Sequence, residues 1–293
     1  MRKVAIVTDS VCCLPAELAA RHSIRIVPLL ISLRNITYRD GVDITPSEVY
    51  RIMRKDEDLP TTSIPSPGEF AKAYSEVSQY AESILCITLT SLQSKMYETA
   101  TVAKEIAAES MPRTTIEVFD SRAVAGALGF IALEAARVAD QGANLHEVLA
   151  AAQRTQKRVN TLFVVDTLHF LARTGRIARA AAWAGSVLNV KPVVEHSTSV
   201  GETTPFARPR SRAKAVELLL QTMAERVGDS RVHVMVHHAD ELEEGEKLKA
   251  EIARRFKCTE LYLTEFTPAM GVHVGPGVLG FAFWKEDAAA SSR

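Results

Sequence analysis

Four short and nearly unbroken apolar runs constrain this chain more than any other feature: VAIVTDS (4–10), IRIVPLLISL (24–33), SILCITLT (83–90) and TIEVFDS (115–121). Each has the length of a strand, each is rich in β-branched residues, and each closes on a polar or small break. A strand with one wet face alternates apolar and polar residues. Runs without that alternation belong to strands covered on both faces, as in a parallel sheet flanked by helices. The segments between them read as those helices. TPSEVYRIM (45–53) opens with Thr45 as N-cap, Pro46 in the first helical position and Glu48 three residues after the cap, a capping box. SPGEFAKAYSEVSQ (66–79) repeats the device with Ser66, Pro67 and Glu69.

The second half has a different grain. After the helical LHEVLAAAQRTQKR (145–158) comes a strand-like TLFVVDTL (161–168), then two short helical patterns, LHFLARTG (168–175) and RAAAWAGSVLN (179–189). VKPVVEHSTSVGETTPFARPR (190–210) places two strand-like runs around a polar turn and predicts a hairpin. RVHVMVHH (231–238) and ELYLTEF (260–266) flank the helix ELEEGEKLKAEIARRF (241–256), and GVLGFAFW (277–284) reads as a final strand. The expected architecture is α/β in two domains. An N-terminal parallel-sheet α/β/α domain spans 1–158, and a C-terminal α+β domain spans 159–293, with helices on one side of a mixed sheet.

Bulk properties exclude several functions. Lys plus Arg and Asp plus Glu number 35 each, so no global field recruits nucleic acid or an anionic membrane. The longest apolar stretch, AVAGALGFIALEAA, is too short to span a bilayer. The opening MRKVAIVTDS has charge before a short apolar run, yet so short a run is not expected to make a signal peptide. Cys12, Cys13, Cys86 and Cys258 lack metal-ligand spacing and are expected to be reduced thiols in the cytoplasm. The histidines of VHVMVHHAD, His233 and His237 among them, have no acidic partner at a useful spacing, so no metal site is expected. No phosphate-binding loop, dinucleotide fingerprint or nucleophile elbow is present. That absence favours binding over turnover.

Four stretches could carry chemistry. In GVHVGPG (271–277), His273 stands among glycines that permit positive φ and close backbone approach, in what reads as a loop entering the last strand. In LPTTSIPSPGEF (59–70), Thr61, Thr62 and Ser63 precede a helix whose free N–H groups attract anions. In LTSLQSKMYETA (89–100), Thr90, Ser91 and Ser94 fall beyond the carboxyl end of a predicted central strand, where open α/β sheets bind ligands. Arg173, Arg176 and Arg179 form one basic run, and Arg208, Arg210 and Arg212 another; either could receive a phosphate or an acidic partner. Asp166 is a candidate ion-pair partner for Arg176.

Together these segments resemble the DegV family, fatty-acid-binding proteins that serve as the B subunit of bacterial fatty acid kinase. The resemblance rests on VTDS (7–10), YRDGVDITPSEVY (38–50), LPTTSIPSPGEF, VFDSRAVAGALG (118–129), FVVDTLHFLARTGRI (163–177), LNVKPVV (188–194) and GVHVGPGVLGFAF (271–283), in that order. It implies a two-domain protein that buries one long acyl chain in a tunnel and needs no cofactor. It further implies that Thr62, Ser94 and His273, with Ser63 nearby, hold the carboxylate at the mouth. The histidine would orient or partly neutralise the head group. Arg173, Arg176, Arg210 and Arg212 would face a partner kinase catalytic subunit that phosphorylates the carboxylate, with neither nucleic acid nor stable membrane insertion involved. The chain departs from the family pattern at Lys95 and Met96, where a Gly-Thr pair is usual, and at Ile64, where Gln is common. Lys95 would add positive charge beside the carboxylate, or the bulkier side chains would reshape the mouth.

The energetics suit a carrier. Each buried methylene contributes ~0.8 kcal/mol, so a sixteen-carbon chain supplies on the order of 10 kcal/mol before ordering costs. The mouth has only to keep a carboxylate from being buried unpaired. The competing reading is a phosphoryl- or acyl-transfer enzyme in which His273 serves as acid/base or nucleophile and Ser94 assists. A third is a regulatory protein that binds a small anion at Thr61, Thr62 and Ser63.

Overall fold

The computed structural model describes residues 1–55, 59–178 and 190–287. The helical pattern expected at 179–189, and Arg179 with it, lies outside the described residues. The four apolar runs become a parallel sheet. Elements are numbered in chain order: β1 (Arg2–Asp9), β2 (Arg25–Val27), β6 (Ala81–Thr88) and β7 (Thr115–Asp120) lie in the order β2-β1-β6-β7. The run at 24–33 is split by Pro28, which has no N–H to give a ladder. Its second part, β3 (Leu30–Leu33), leaves the sheet and pairs antiparallel with β4 (Ile36–Arg39) and β5 (Thr61–Ser63).

Helices cover both faces, as the unalternating strands require. A 3₁₀ turn at Ser10–Cys12 and α1 (Ala16–Arg21) follow β1, and α2 (Pro46–Arg54) follows β4. The helices α3 (Pro67–Ser78) and α4 (Met96–Ser110) pack on the parallel strands, as do α5 (Ala125–Asp140) and α6 (Leu145–Gln156). Thr45 forms the expected capping box, its hydroxyl accepting from Glu48 N and its own N–H donating to Glu48 Oε2 at 2.8 Å. Ser66 occupies the cap position of α3, but its side chain makes no cap bond. The sequence pattern alone does not orient that hydroxyl.

The C-terminal sheet is mixed. It comprises β8 (Asn160–Val164), β9 (Val193–Ser197), β10 (Glu202–Ala207), β11 (Val232–His238), β12 (Cys258–Glu265) and β13 (Leu279–Lys285), in the order β10-β9-β8-β13-β11-β12. Only β11 and β12 run parallel; the predicted hairpin is β9 with β10. Among the described residues this half also carries α7 (His169–Arg173), α8 (Arg212–Val227) and α9 (Leu242–Arg255). The helix α10 (Pro268–Val274) precedes β13. The helices α8 and α9 cover one face of the sheet, as expected. The other face is covered too, by α5 of the N-terminal half, which touches β1 and β6 as well as β8, β11 and β13.

That shared helix explains its own composition. Wedged between two sheets, α5 is buried almost all round, so its sequence shows no polar stripe. At Gly126 a side chain would fall 2.3 Å from His237 Nε2, so only glycine lets the helix approach β11 this closely. One apolar core therefore runs from Val4 and Ile6 through Phe130 and Ile131 to Phe163, Val165 and Met235. A second lies beneath α8 and α9, around Leu162, Val164, Leu219 and Phe281. Strand β8 divides its residues between the two by simple alternation.

Candidate functional site

The parallel strand order places a crevice between β1 and β6. The chain leaves β1 toward β2 on one side and enters β6 on the other, the switch point at which α/β sheets bind ligands. Beyond those carboxyl ends lies a cavity of about 580 Å³, roughly mid-range for a small-molecule site. The N-terminal half contributes Val11, Leu29, Leu89 and Val124 to its wall; the C-terminal half contributes Phe163, Val165, Leu171, Val194, Met270 and Val274. Asp9 holds the two strand ends in register by accepting from Val11 N at 3.1 Å and Leu89 N at 2.7 Å. Burial pushes this carboxyl up to about 7, with the two backbone bonds opposing the shift.

Thr62, Ser63, Ser94 and His273 all line this one cavity, together with Ile64, Gln93, Lys95 and Arg176. The hydroxyl triplet proves to be strand β5 rather than a loop, and its Ile31↔Thr62 register sets Thr62 against α10. His273 is likewise not in a loop. It sits in the last turn of α10, whose first N–H groups are met by the Thr267 side chain and, at Ala269, by Asp40 Oδ1 at 2.8 Å. The helix stops at Gly275, at φ 79°, in the left-handed region; a side chain there would lie 2.1 Å from the Phe170 ring.

Thr62 Oγ1 and His273 Nε2 lie 2.9 Å apart. The Nδ1 of the same ring is buried without a hydrogen-bond partner. Burial pushes the imidazole down to about 3, and the nearby Arg176 and Arg173 charges push the same way. Without a ligand the ring is thus neutral at neutral pH, and the positive charge beside it is that of the two arginines. The side chains of Ser63 and Ser94 make no hydrogen bond to any described residue, and both residues line the cavity.

The arginines divide. Arg173 Nη2 donates to Pro60 O at 3.0 Å, next to β5. Arg176 Nε donates to Gln93 O at 3.2 Å, and Arg176 has no bond to Asp166. Asp166 pairs instead with Lys191 at 2.8 Å and Arg212 at 3.3 Å. Arg212 also donates to Gly277 O at 2.7 Å, so its guanidinium is engaged inside the C-terminal half. Arg210 is exposed, and neither it nor Arg212 lines the cavity. Lys95 lines the cavity and pairs with Glu98, 2.8 Å away, while Met96 is wholly buried.

Other histidines stand elsewhere. His233 does meet acidic partners across strands, Glu260 at 2.6 Å and Glu286 at 3.3 Å, which linear spacing could not reveal. Among the described residues no group of His, Cys, Asp or Glu could hold a metal ion, and no helix is long and apolar enough to cross a membrane. Sequence reasoning missed Gln93 and the whole apolar wall. The apolar run LFVV in TLFVVDTL, whose alternate side chains face opposite sides of a strand, was the available signal for Phe163 and Val165; Gln93 carried none.

The comparisons with known proteins agree with this fold. The family model described as an uncharacterised protein of the DegV family matches residues 3–286. Protein DegV of Bacillus subtilis is 32% identical over 282 residues, covering 96% of this chain and 98% of its own length. A solved DegV-family protein of Thermus thermophilus, described by its fatty acid binding, superposes with a TM-score of 0.88 at 32% identity over 98% of this chain and 100% of that one. A stearic-acid-binding protein of Eubacterium ventriosum gives a TM-score of 0.88 at 29% identity, covering 97% and 98% of the two chains.

Proposed function

The chain belongs to the DegV family, and from that premise we propose that it binds one long-chain fatty acid in the cavity between its halves, carboxylate at the hydroxyl-lined mouth. The observation that carries this reading is the make-up of the cavity surface. Aliphatic and aromatic groups from both halves line it together with Thr62, Ser63, Ser94 and His273, and Thr62 and His273 touch each other. Fatty-acid binding by the Thermus and Eubacterium proteins supports it. Affinity then comes from apolar burial, and the mouth supplies donors for a charge that must not be left unpaired.

The Thr62–His273 pair has a defined part in this reading. In this reading the neutral ring carries its proton on Nε2 and donates to Thr62 Oγ1, which frees the Thr62 hydroxyl proton for a carboxylate oxygen. Ser94 donates the second bond and Ser63 stands by. Arg173 and Arg176 hold the site at positive potential without being consumed by an acidic partner. We further assign 1–158 and 159–293 to the two domains, and a role as a carrier that presents the carboxylate to a separate kinase in the cytoplasm. Arg173, Arg176 and the exposed Arg210 would face that kinase. Among the described residues no carboxylate faces His273 Nδ1, so nothing favours the alternative in which His273 and Ser94 catalyse transfer.

Native mass spectrometry of protein purified from a bacterial host tests the reading. The expected result is a retained mass equal to one long-chain fatty acid, restored by titration after lipid removal. A delipidated, folded protein that takes up no long-chain fatty acid sinks it.

A further inference from the structure

Gln93 has no place in the head-group chemistry above, yet it belongs to a hydrogen-bond chain that crosses between the two halves three times. The chain starts at the carbonyl of Arg122, in the turn after β7, which can only accept; His196 Nε2, 3.0 Å away, therefore carries its proton. His196 is buried and neutral, pushed down to about 4 chiefly by burial, so its Nδ1 is bare. The Thr203 hydroxyl, 2.9 Å from Nδ1, must donate to it. That leaves the Thr203 oxygen to accept from Gln93 Nε2 at 3.1 Å. The second Gln93 amide proton goes to Arg176 O at 3.1 Å, and Arg176 Nε returns a bond to Gln93 O at 3.2 Å. Every proton in the series has one allowed direction, and the orientation of the Gln93 amide is thereby fixed. A second lacing runs alongside it, Thr90 Oγ1 donating to Gly201 O at 2.8 Å.

We propose that Gln93 is a positioning residue for the head-group site: it locks the turn 91–95 of the N-terminal half against β10 and the segment after α7, and so fixes where the neighbouring Ser94 hydroxyl stands. The proposal rests on the fatty-acid reading for its functional consequence. The Ser94 side chain makes no hydrogen bond to any described residue, so its place in the mouth depends on the backbone that carries it. That backbone is held by the side chain next door. Leucine at 93 would fill a similar volume and donate to neither Arg176 O nor Thr203.

The test is a double-mutant cycle read by displacement of a fluorescent fatty acid from the delipidated full chain. Gln93→Leu weakens palmitate binding roughly ten-fold in the wild-type background, the scale of one well-placed hydrogen bond, and less than about two-fold in the Ser94→Ala background. Thr203→Val, which removes the acceptor from the other side of the bond, gives the same pattern. Hydrogen exchange of the ligand-free protein supplies an arm independent of any fatty acid: amides 91–95 exchange faster in both variants, while those of α3 are unchanged. Equal losses in both backgrounds, or unchanged affinity and unchanged exchange, overturn the proposal. A wild type that binds no palmitate overturns the fatty-acid reading instead, and the exchange arm still decides whether Gln93 holds the turn.

Discussion

The exchangeable protons at the mouth decide what the site can hold. Thr62 and Ser94 line one cavity, so Thr62→Ala or Ser94→Ala is expected to weaken fatty-acid binding by roughly 1–3 kcal/mol, the range for a lost hydrogen bond to a charged group. Fluorescent displacement with a parallel melting curve measures it, and unchanged affinity in both variants would remove these residues from the head-group site. For His273 the sign of the pH effect follows from its depressed value. An anion bound beside the ring raises its pKa, and affinity gains only where the bound ring takes up a proton. Starting from about 3, and with Arg173 and Arg176 opposing protonation, that gain stays below the neutral range. Affinity is therefore expected to be flat between about pH 6 and about pH 8, and His273→Gln, which still donates to Thr62, keeps most of it. A steep fall in wild-type affinity across that interval would instead make the ring a charged partner of the carboxylate.

The short helix α10 does most to bring the site together at the scale of elements. Its start is fixed by Thr267 and Asp40, its end by Gly275, and the single residue His273 reaches across to β5. Gly275→Ala forces a side chain into the left-handed region and into the Phe170 ring, which is expected to destabilise the fold by roughly 1–3 kcal/mol. Denaturant unfolding reads that loss, and an unchanged midpoint would mean that α7 yields without cost. The two similar-looking helix starts separate in the same assay. Thr45→Ala removes a formed capping box and lowers the midpoint, whereas Ser66→Ala removes a hydroxyl that caps nothing and leaves it in place.

Across the whole molecule, burial of titratable groups between the halves sets the response to acid. His196, His237 and His273 are pushed down by burial to about 4, about 3 and about 3. The unfolded chain takes up these protons below about pH 6.5 and the folded chain does not, so stability falls as pH drops through that window. Asp9 works in the opposite sense. Raised to about 7, it keeps its proton in the folded state and favours folding toward the acid side; Asp40 shifts in the same direction. Each unopposed histidine contributes about 1.4 kcal/mol per pH unit; His238 is lowered as well and Glu265 raised, so the lowered histidines still outnumber the raised acids. The melting temperature is expected to fall between about pH 7 and about pH 5. A rise over that interval would show that the buried acids dominate.

The local pattern of the sequence determined the strands of the parallel sheet, the capping box at Thr45, the β9–β10 hairpin and the final strand, because each depends on neighbours within one or two turns of chain. Motif order placed Thr62, Ser63, Ser94 and His273 together as a family resemblance, and they do share one cavity. Linear pattern could not say that Thr61–Ser63 extends as a strand, nor that His273 closes a helix. Both follow from pairing with β3 and packing on α2, far away in sequence. Nor could it supply the charge state of His273, since desolvation is a property of the assembled halves and not of the residue. The Asp166 partners, the acids around His233 and the chain through Gln93 belong to the same class. The first two join elements of the C-terminal half that are distant in sequence, and the third joins the two halves, where hydrogen-bond direction is dictated by which atoms meet across the interface.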